Sequence, residues 1–221
     1  MSQIIDRPQV ATPRITRPQA VALVAAPAVA VLARLLTTPW YQDDNEPDDA
    51  RVLTEIADAV GRNQVGAVLA LLSGVLFAVA AIVVAQIVRA RSPRVAWAGV
   101  VLACFGAFGL ALFSAFVATF TVIAEHDDRE AMLELMAQFT DSPISGVSYL
   151  VLILGALGWL ILGYGLYRSK VIARAAAVLS ALGGAGVMLT TPGPLTSFIT
   201  GSAVLCLLGF AWVAVAARRR S

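Results

Sequence analysis

Charge is the scarcest feature of this 221-residue sequence: Asp, Glu, Lys and Arg together make up 14%, against about 25% in an ordinary soluble domain. Histidine occurs once, as His126, and cysteine twice, as Cys104 and Cys206. A single histidine cannot furnish a bis-histidine haem or a multi-histidine zinc site within the chain. Both cysteines stand inside apolar runs, where a thiol behaves as a small hydrophobe and indicates no redox compartment. There is no GxxxxGK[ST], no GxGxxG following a strand, no HExxH, no CxxC and no GxSxG, so the nucleotide, metalloprotease and hydrolase chemistries that need those spacings drop out. The formal net charge of +2 is too small and too unevenly placed for a nucleic-acid binder. No cofactor and no nucleic-acid partner is expected.

What the sequence has in excess is apolar side chains, at 59%, with a mean hydropathy of +0.81. Spread over one soluble core, they would leave too few polar residues to cover the surface. A membrane helix needs roughly 20 mostly apolar residues to cross about 30 Å of hydrocarbon. Six stretches meet or approach that length: residues 19–38, 64–88, 95–123, 146–167, 171–190 and 197–217. Helices satisfy their own backbone hydrogen bonds and are the only open-ended way through lipid. The predicted fold is therefore all-α: a polytopic membrane bundle of six transmembrane helices over 19–217, with a cytoplasmic arm at 1–18 and a basic tail at 218–221. Arg7, Arg14 and Arg17 before the first stretch superficially resemble a signal peptide. The apolar run exceeds a usual h-region, so it is expected to be a retained first span.

The loops orient the bundle. Basic residues collect in the N-terminal arm, in RARSPR (Arg89, Arg91, Arg94), in YRSKVIAR (Arg168, Lys170, Arg174) and at Arg218, Arg219 and Arg220. The positive-inside rule makes these segments cytoplasmic, and an even number of spans returns both termini to that side. The expected location is the bacterial cytoplasmic (plasma) membrane, with the bilayer as first partner. The acidic segments 41–63 and 124–145 then face outward with the TPGP turn at 191–194. In the first, Val52, Leu53, Ile56 and Val60 recur at helical spacing, and in the second Met132, Leu133, Met136 and Phe139 do the same. Two short amphipathic outer helices are predicted, over 49–61 and 128–140, opening on Asp48 and Asp49 and on Asp127 and Asp128 as caps. These aspartates and Glu55 recur as Asp127, Asp128 and Glu134 at one constant offset, which suggests a repeat of span, outer helix, span. Small residues spaced for close helix approach include Gly66 with Ala70, Ala177 with Ala181 and Ser180 with Gly184.

Few side chains can carry chemistry. The run YQDDNEPDD resembles at a glance the aspartate-rich motifs that hold magnesium diphosphate. That chemistry needs carboxylates one helical turn apart on one face, and Pro47 breaks the run between Asp44 and Asp48. It reads first as a solvated loop leading into a helix cap. No metal is expected; the only oxygen-rich alternative has His126, Asp127 and Asp128 meeting Asp43, Asp44 or Glu46 across the two outer loops. Arg34 lies in the first span, deep enough that its charge must snorkel or find a partner such as Glu125 or Asp43. Apart from it the span centres hold no Asp, Glu, Lys or His, which argues against ion-coupled transporters, proton pumps and voltage sensors.

The stretches ARLLTTPW with its acidic loop, GRNQVGAVLALLSGVLFAVAAIVV, VRARSPRVAWAGVVL and YRSKVIARAAAVLSALGG together resemble small six-span integral-membrane proteins of actinobacteria grouped as a domain of unknown function. The resemblance covers most of the chain and implies a membrane bundle, with no activity or catalytic residues to carry over. Two functions are weighed. The first is a non-catalytic subunit, scaffold or accessory factor that engages a membrane-protein partner, a second copy or lipid. The second is a membrane-embedded enzyme or carrier for a lipophilic small molecule, with an outward-opening pocket lined by Arg34, Glu125, Tyr149 and Tyr164 and with Glu125 and Asp141 as its catalytic acids.

Overall fold

The computed structural model describes residues 15–38, 49–126, 128–170, 172–190 and 196–219, and among them there are helices and turns but no strand. The helices are α1 (Arg17–Leu36), α2 (Asp49–Ala57), α3 (Val60–Arg89), α4 (Pro93–Ala124), α5 (Arg129–Thr140), α6 (Pro143–Ser169), α7 (Arg174–Thr190) and α8 (Thr196–Arg219). Five of them (α1, α3, α4, α6 and α8) are long and apolar enough to cross a membrane, and α7 is a shorter apolar helix. The bundle carries apolar side chains on its outside as well as its inside: Val68, Val75, Phe108, Leu150, Leu182 and Leu208 are all exposed. An exterior of that kind suits hydrocarbon and not water. The chain is thus a multi-pass membrane protein by its helices.

Local sequence sets the helix ends. Pro18, Pro93 and Pro143 occupy the first turns of α1, α4 and α6, where a missing N–H costs nothing. Ser142 accepts from the Ser145 N–H at 3.5 Å, and Asp128 from the Ala131 N–H at 3.2 Å, each capping the helix that follows. Lys170 ends α6 in the left-handed conformation, at φ 54°. Pro27 lies within α1, and the helix runs on through it to Leu36. Helix α2 stops at Ala57, short of the 61 expected from periodicity, because Asp58 and Ala59 form a turn and α3 already starts at Val60. At 30 and 32 residues, α3 and α4 are about 45–48 Å long at 1.5 Å per residue, so both project beyond a hydrocarbon layer of about 30 Å.

The six apolar helices close into a ring: α1 packs on α3, α3 on α4, α4 on α6, α6 on α7, α7 on α8, and α8 back on α1, with α3 also reaching α6. Neighbours run antiparallel. Gln19 at the start of α1 donates to Gln86 near the end of α3 at 3.1 Å, and Thr38 just after α1 meets Asn63 in the first turn of α3. Glycines set the spacing, since association in lipid relies on packing rather than on expelling water. A Cβ added to Gly155 of α6 would lie 2.2 Å from the Gly106 Cα of α4, and one on Gly183 of α7 would lie 2.2 Å from the Cys206 N of α8. The small faces that include Gly66, Ala181 and Gly184 are likewise filled by the chain's own Thr37, Gly163 and Trp159.

The ring has a filled centre. Phe77, Trp159 and Phe210, one each from α3, α6 and α8, are almost fully buried and stack edge-on or tilted with centroids 5.1 to 6.3 Å apart. A second, separate core stands at the acidic end. There Val52, Leu53 and Ile56 of α2 and Met136 of α5 bury themselves against Phe120 and Ile123 of α4. Phe139 meets Phe116 and Phe120 edge to face at 4.8 and 5.4 Å. A nine-residue helix such as α2 is too short to persist alone. This packing holds it, so the apolar faces of α2 and α5 point into the protein and their polar faces outward.

Candidate functional site

Each end of the bundle carries its own sign of charge. Among the described residues the end bearing the turns at 90–92 and 170–173 has Arg17, Arg89, Arg91, Arg94, Arg168, Lys170, Arg174 and Arg218 and no carboxylate. All the described carboxylates stand at the other end, on or beside α2, α5 and the end of α4. Arg91 donates to the Ser169 carbonyl at the end of α6, and the Arg174 guanidinium lies 5.2 Å from the centroid of the Tyr167 ring. Two of these cations are therefore occupied in closing the turn between α6 and α7.

At the acidic end the expected constellation does not assemble. Arg34 sits in the last turn of α1, half-buried, with its Nε buried and without a hydrogen-bond partner. Among the described residues it forms no ion pair, and the only such pair joins Arg51 to Glu55 within α2. Glu125 is the exposed C-cap of α4 and Asp141 the exposed C-cap of α5, and neither is paired with Arg34. Tyr149 and Tyr164 both lie on the outer surface of α6, 44% and 55% exposed. Fifteen residues separate them, about 22 Å along a helix. Among the described residues Arg34, Glu125, Tyr149 and Tyr164 are therefore not brought together: the tyrosines lie far apart on the outer surface of α6, and Glu125 is an exposed cap.

The acid cluster yields equally little for a metal. His126 is exposed and its Nδ1 accepts from the Asp128 N–H at 3.4 Å, while Asp128 is engaged as the cap of α5. Asp43, Asp44, Asp48 and Asp127 lie outside the described residues, as does most of YQDDNEPDD. Among the described residues no three His, Cys, Asp or Glu side chains come together in a ligand set.

Two polar contacts that the sequence did not advertise organise this end. Asn63, 1% exposed, accepts from the Thr38 N–H at 2.7 Å and donates to Thr38 Oγ1 and to the Ala59 carbonyl, each at 3.1 Å. It thereby pins the chain leaving α1 to the first turn of α3. Arg129 of α5 reaches across to α2, donating to the Ala50 carbonyl at 2.8 Å and to Thr54 Oγ1. The only sequence signal for Asn63 was an amide, between Arg62 and Gln64, just ahead of a long apolar run. Arg129 stands at the same offset from Ala50 that relates the two acidic loops.

Concave surface lies on the flanks of the ring. A groove of about 700 Å³ runs between α3 and α4, with Arg89 and Gln86 toward one end and apolar side chains along the rest. A smaller one of about 550 Å³ lies between α1 and α8, with Arg17 and Arg218 at the same end of the bundle.

Residues 20–217 match the sequence model of a family described as a domain of unknown function, DUF4386. The chain belongs to that family. The match begins in the first turn of α1 and ends in the last turns of α8, so the DUF4386 unit is coextensive with the ring and includes the α2–α5 cap. No curated protein and no solved structure matches the chain. Family membership therefore assigns no activity, and any function has to be argued from the surfaces described above.

Proposed function

We propose that this DUF4386 chain is a six-span protein of the bacterial cytoplasmic membrane, with both termini cytoplasmic, that serves as a non-catalytic subunit, scaffold or accessory factor. The observation that carries the reading is the filled ring. Phe77, Trp159 and Phe210 close its centre, and no Asp, Glu, His, Lys or Arg side chain is buried beside them among the described residues. Catalysis or coupled transport in lipid calls for such groups at depth. Counting α7 as the sixth span is supported by its place in the ring between α6 and α8, although its 17 residues reach only about 25 Å. The orientation rests on the all-basic end and the positive-inside rule. The polar outer faces of α2 and α5, with exposed Glu130 and Glu134 on α5 and Asp58 in the turn after α2, are the surface offered to a partner.

The test has two parts. Cysteines placed singly in the turns at 90–92 and 170–173 should be shielded from an impermeant thiol reagent in intact cells, while cysteines at the exposed face of α5 should react. Extraction in mild detergent should yield a particle larger than one chain and detergent, with a second protein or copy cross-linked at α2 or α5. A second reading, an outward site for a lipophilic molecule at Arg34, is favoured by that residue's buried and unpartnered Nε. A monomeric particle carrying a small molecule that is lost in Arg34→Leu would replace the first reading with the second.

A further inference from the structure

We infer that the groove between α3 and α4 is a binding site for one anionic phospholipid, with its phosphate held at Arg89 and an acyl chain laid along α4. The floor of the groove is made of small side chains, Ala85 and Ala96, which are 8% and 2% exposed. Its walls are large ones, with Trp97 and Phe108 60% and 56% exposed. Ala96 to Phe108 is twelve residues of α4, about 18 Å at 1.5 Å per residue. Half of a hydrocarbon core of about 30 Å is roughly 15 Å, so the groove is one leaflet deep and stops near the bilayer midplane. Its volume of about 700 Å³ is in the range of roughly 300–1,000 Å³ typical of sites for small ligands.

The mouth sets the headgroup chemistry. Arg91 and Arg174 are engaged with the Ser169 carbonyl and the Tyr167 ring. Arg89 lines the mouth, is exposed, and has no hydrogen bond or ion pair to any described residue. A guanidinium offers a planar fork of donors that matches a phosphate diester. One turn below, Gln86 also lines the groove; its Oε1 accepts from Gln19, which leaves its amide N–H groups to donate to the phosphate or glycerol oxygens. Because every charged side chain described at this end is basic, the surrounding potential favours an anionic lipid over a zwitterionic one. The same disposition recurs in the α1–α8 groove, where Arg17 and Arg218 stand at that end.

Trp97 serves as the reporter, because it lines this groove and not the other. The full chain is reconstituted in phosphatidylcholine vesicles containing a minority of phosphatidylglycerol, and either lipid is brominated on its acyl chains to quench nearby indoles. Quenching assigned to Trp97, as the difference between wild type and Trp97→Phe, should saturate at a brominated phosphatidylglycerol fraction well below that needed for brominated phosphatidylcholine. Arg89→Gln should weaken the preference roughly fivefold, the effect of one juxtamembrane cation, and Arg89→Lys should retain part of it. Arg89 is exposed, so its variants should melt with wild type, and that measurement separates lost binding from lost folding. Trp97 quenching that follows lipid mole fraction identically for both headgroups, or a preference unchanged by Arg89→Gln, would overturn the assignment.

Discussion

Replacing Gly155 with alanine adds one methyl group where two helix backbones already touch. A Cβ on Gly155 would stand 2.2 Å from the Gly106 Cα and 2.8 Å from the Gly106 N, whereas non-bonded carbons rest at roughly 3.5–4.0 Å. Helices α4 and α6 would have to part by roughly 1.3 Å or more, and the obstacle is backbone, which has no rotamer to change. Inserting a methyl into a well-packed interior costs about 1–3 kcal/mol, and a backbone obstacle places this site toward the upper end. Alanine's better helix propensity offsets about 0.5–1 kcal/mol of that. The offset can be measured on the same helix with Gly146→Ala, where the new Cβ meets nothing within 4 Å. The two α6 variants should therefore differ by about 2–3 kcal/mol, with Gly146→Ala at or slightly above wild type. For a chain of this length that is a difference of roughly 5–10 °C in Tm, readable by far-UV circular dichroism of the protein in mild detergent. If Gly155→Ala melts together with Gly146→Ala, α4 and α6 do not meet through these glycines, and the ring is packed differently.

Two further perturbations address the acidic end. Asn63→Ala should lower stability by about 1–3 kcal/mol, because it leaves the buried Thr38 N–H without its acceptor; a Tm within a degree of wild type would show that the contact does not hold α1 to α3. Arg129→Ala removes the donor that ties α5 to the Ala50 carbonyl and Thr54 hydroxyl of α2. Amide exchange should then rise several-fold across α2 and little in α6, and unchanged protection of α2 would mean that its apolar face alone secures it.

How far the site could be read from sequence differs by residue. The apolar lengths and one-signed turns needed no tertiary knowledge, because a helix in lipid must satisfy its own backbone and keep cations at its ends. Periodicity also picked out Val52, Leu53, Ile56 and Met136 as one-sided apolar sets, though not that both sets would close on Phe120 of α4. Tyr149 and Tyr164 show what a string of residues leaves open: which way a side chain in an apolar span faces depends on the phase of its helix, and both lie on the outer surface of α6. Glycine spacing signalled close contact without naming partners, since Gly155 opposite Gly106 and Gly183 opposite Cys206 are pairs between helices whose register no single helix contains.

The sequence by itself therefore determined the class of molecule, its all-helical build and the segregation of cations from carboxylates, all of which follow from local hydropathy and charge. Only the tertiary structure decided that α8 returns to α1 to close the ring, that Asn63 pins Thr38, and that Arg89 overlooks a groove beside Trp97. Those arrangements depend on the rotation and register of one helix against another. In lipid these are set by small residues and side-chain shape rather than by hydrophobicity, and hydropathy is nearly uniform around α3, α4 and α6.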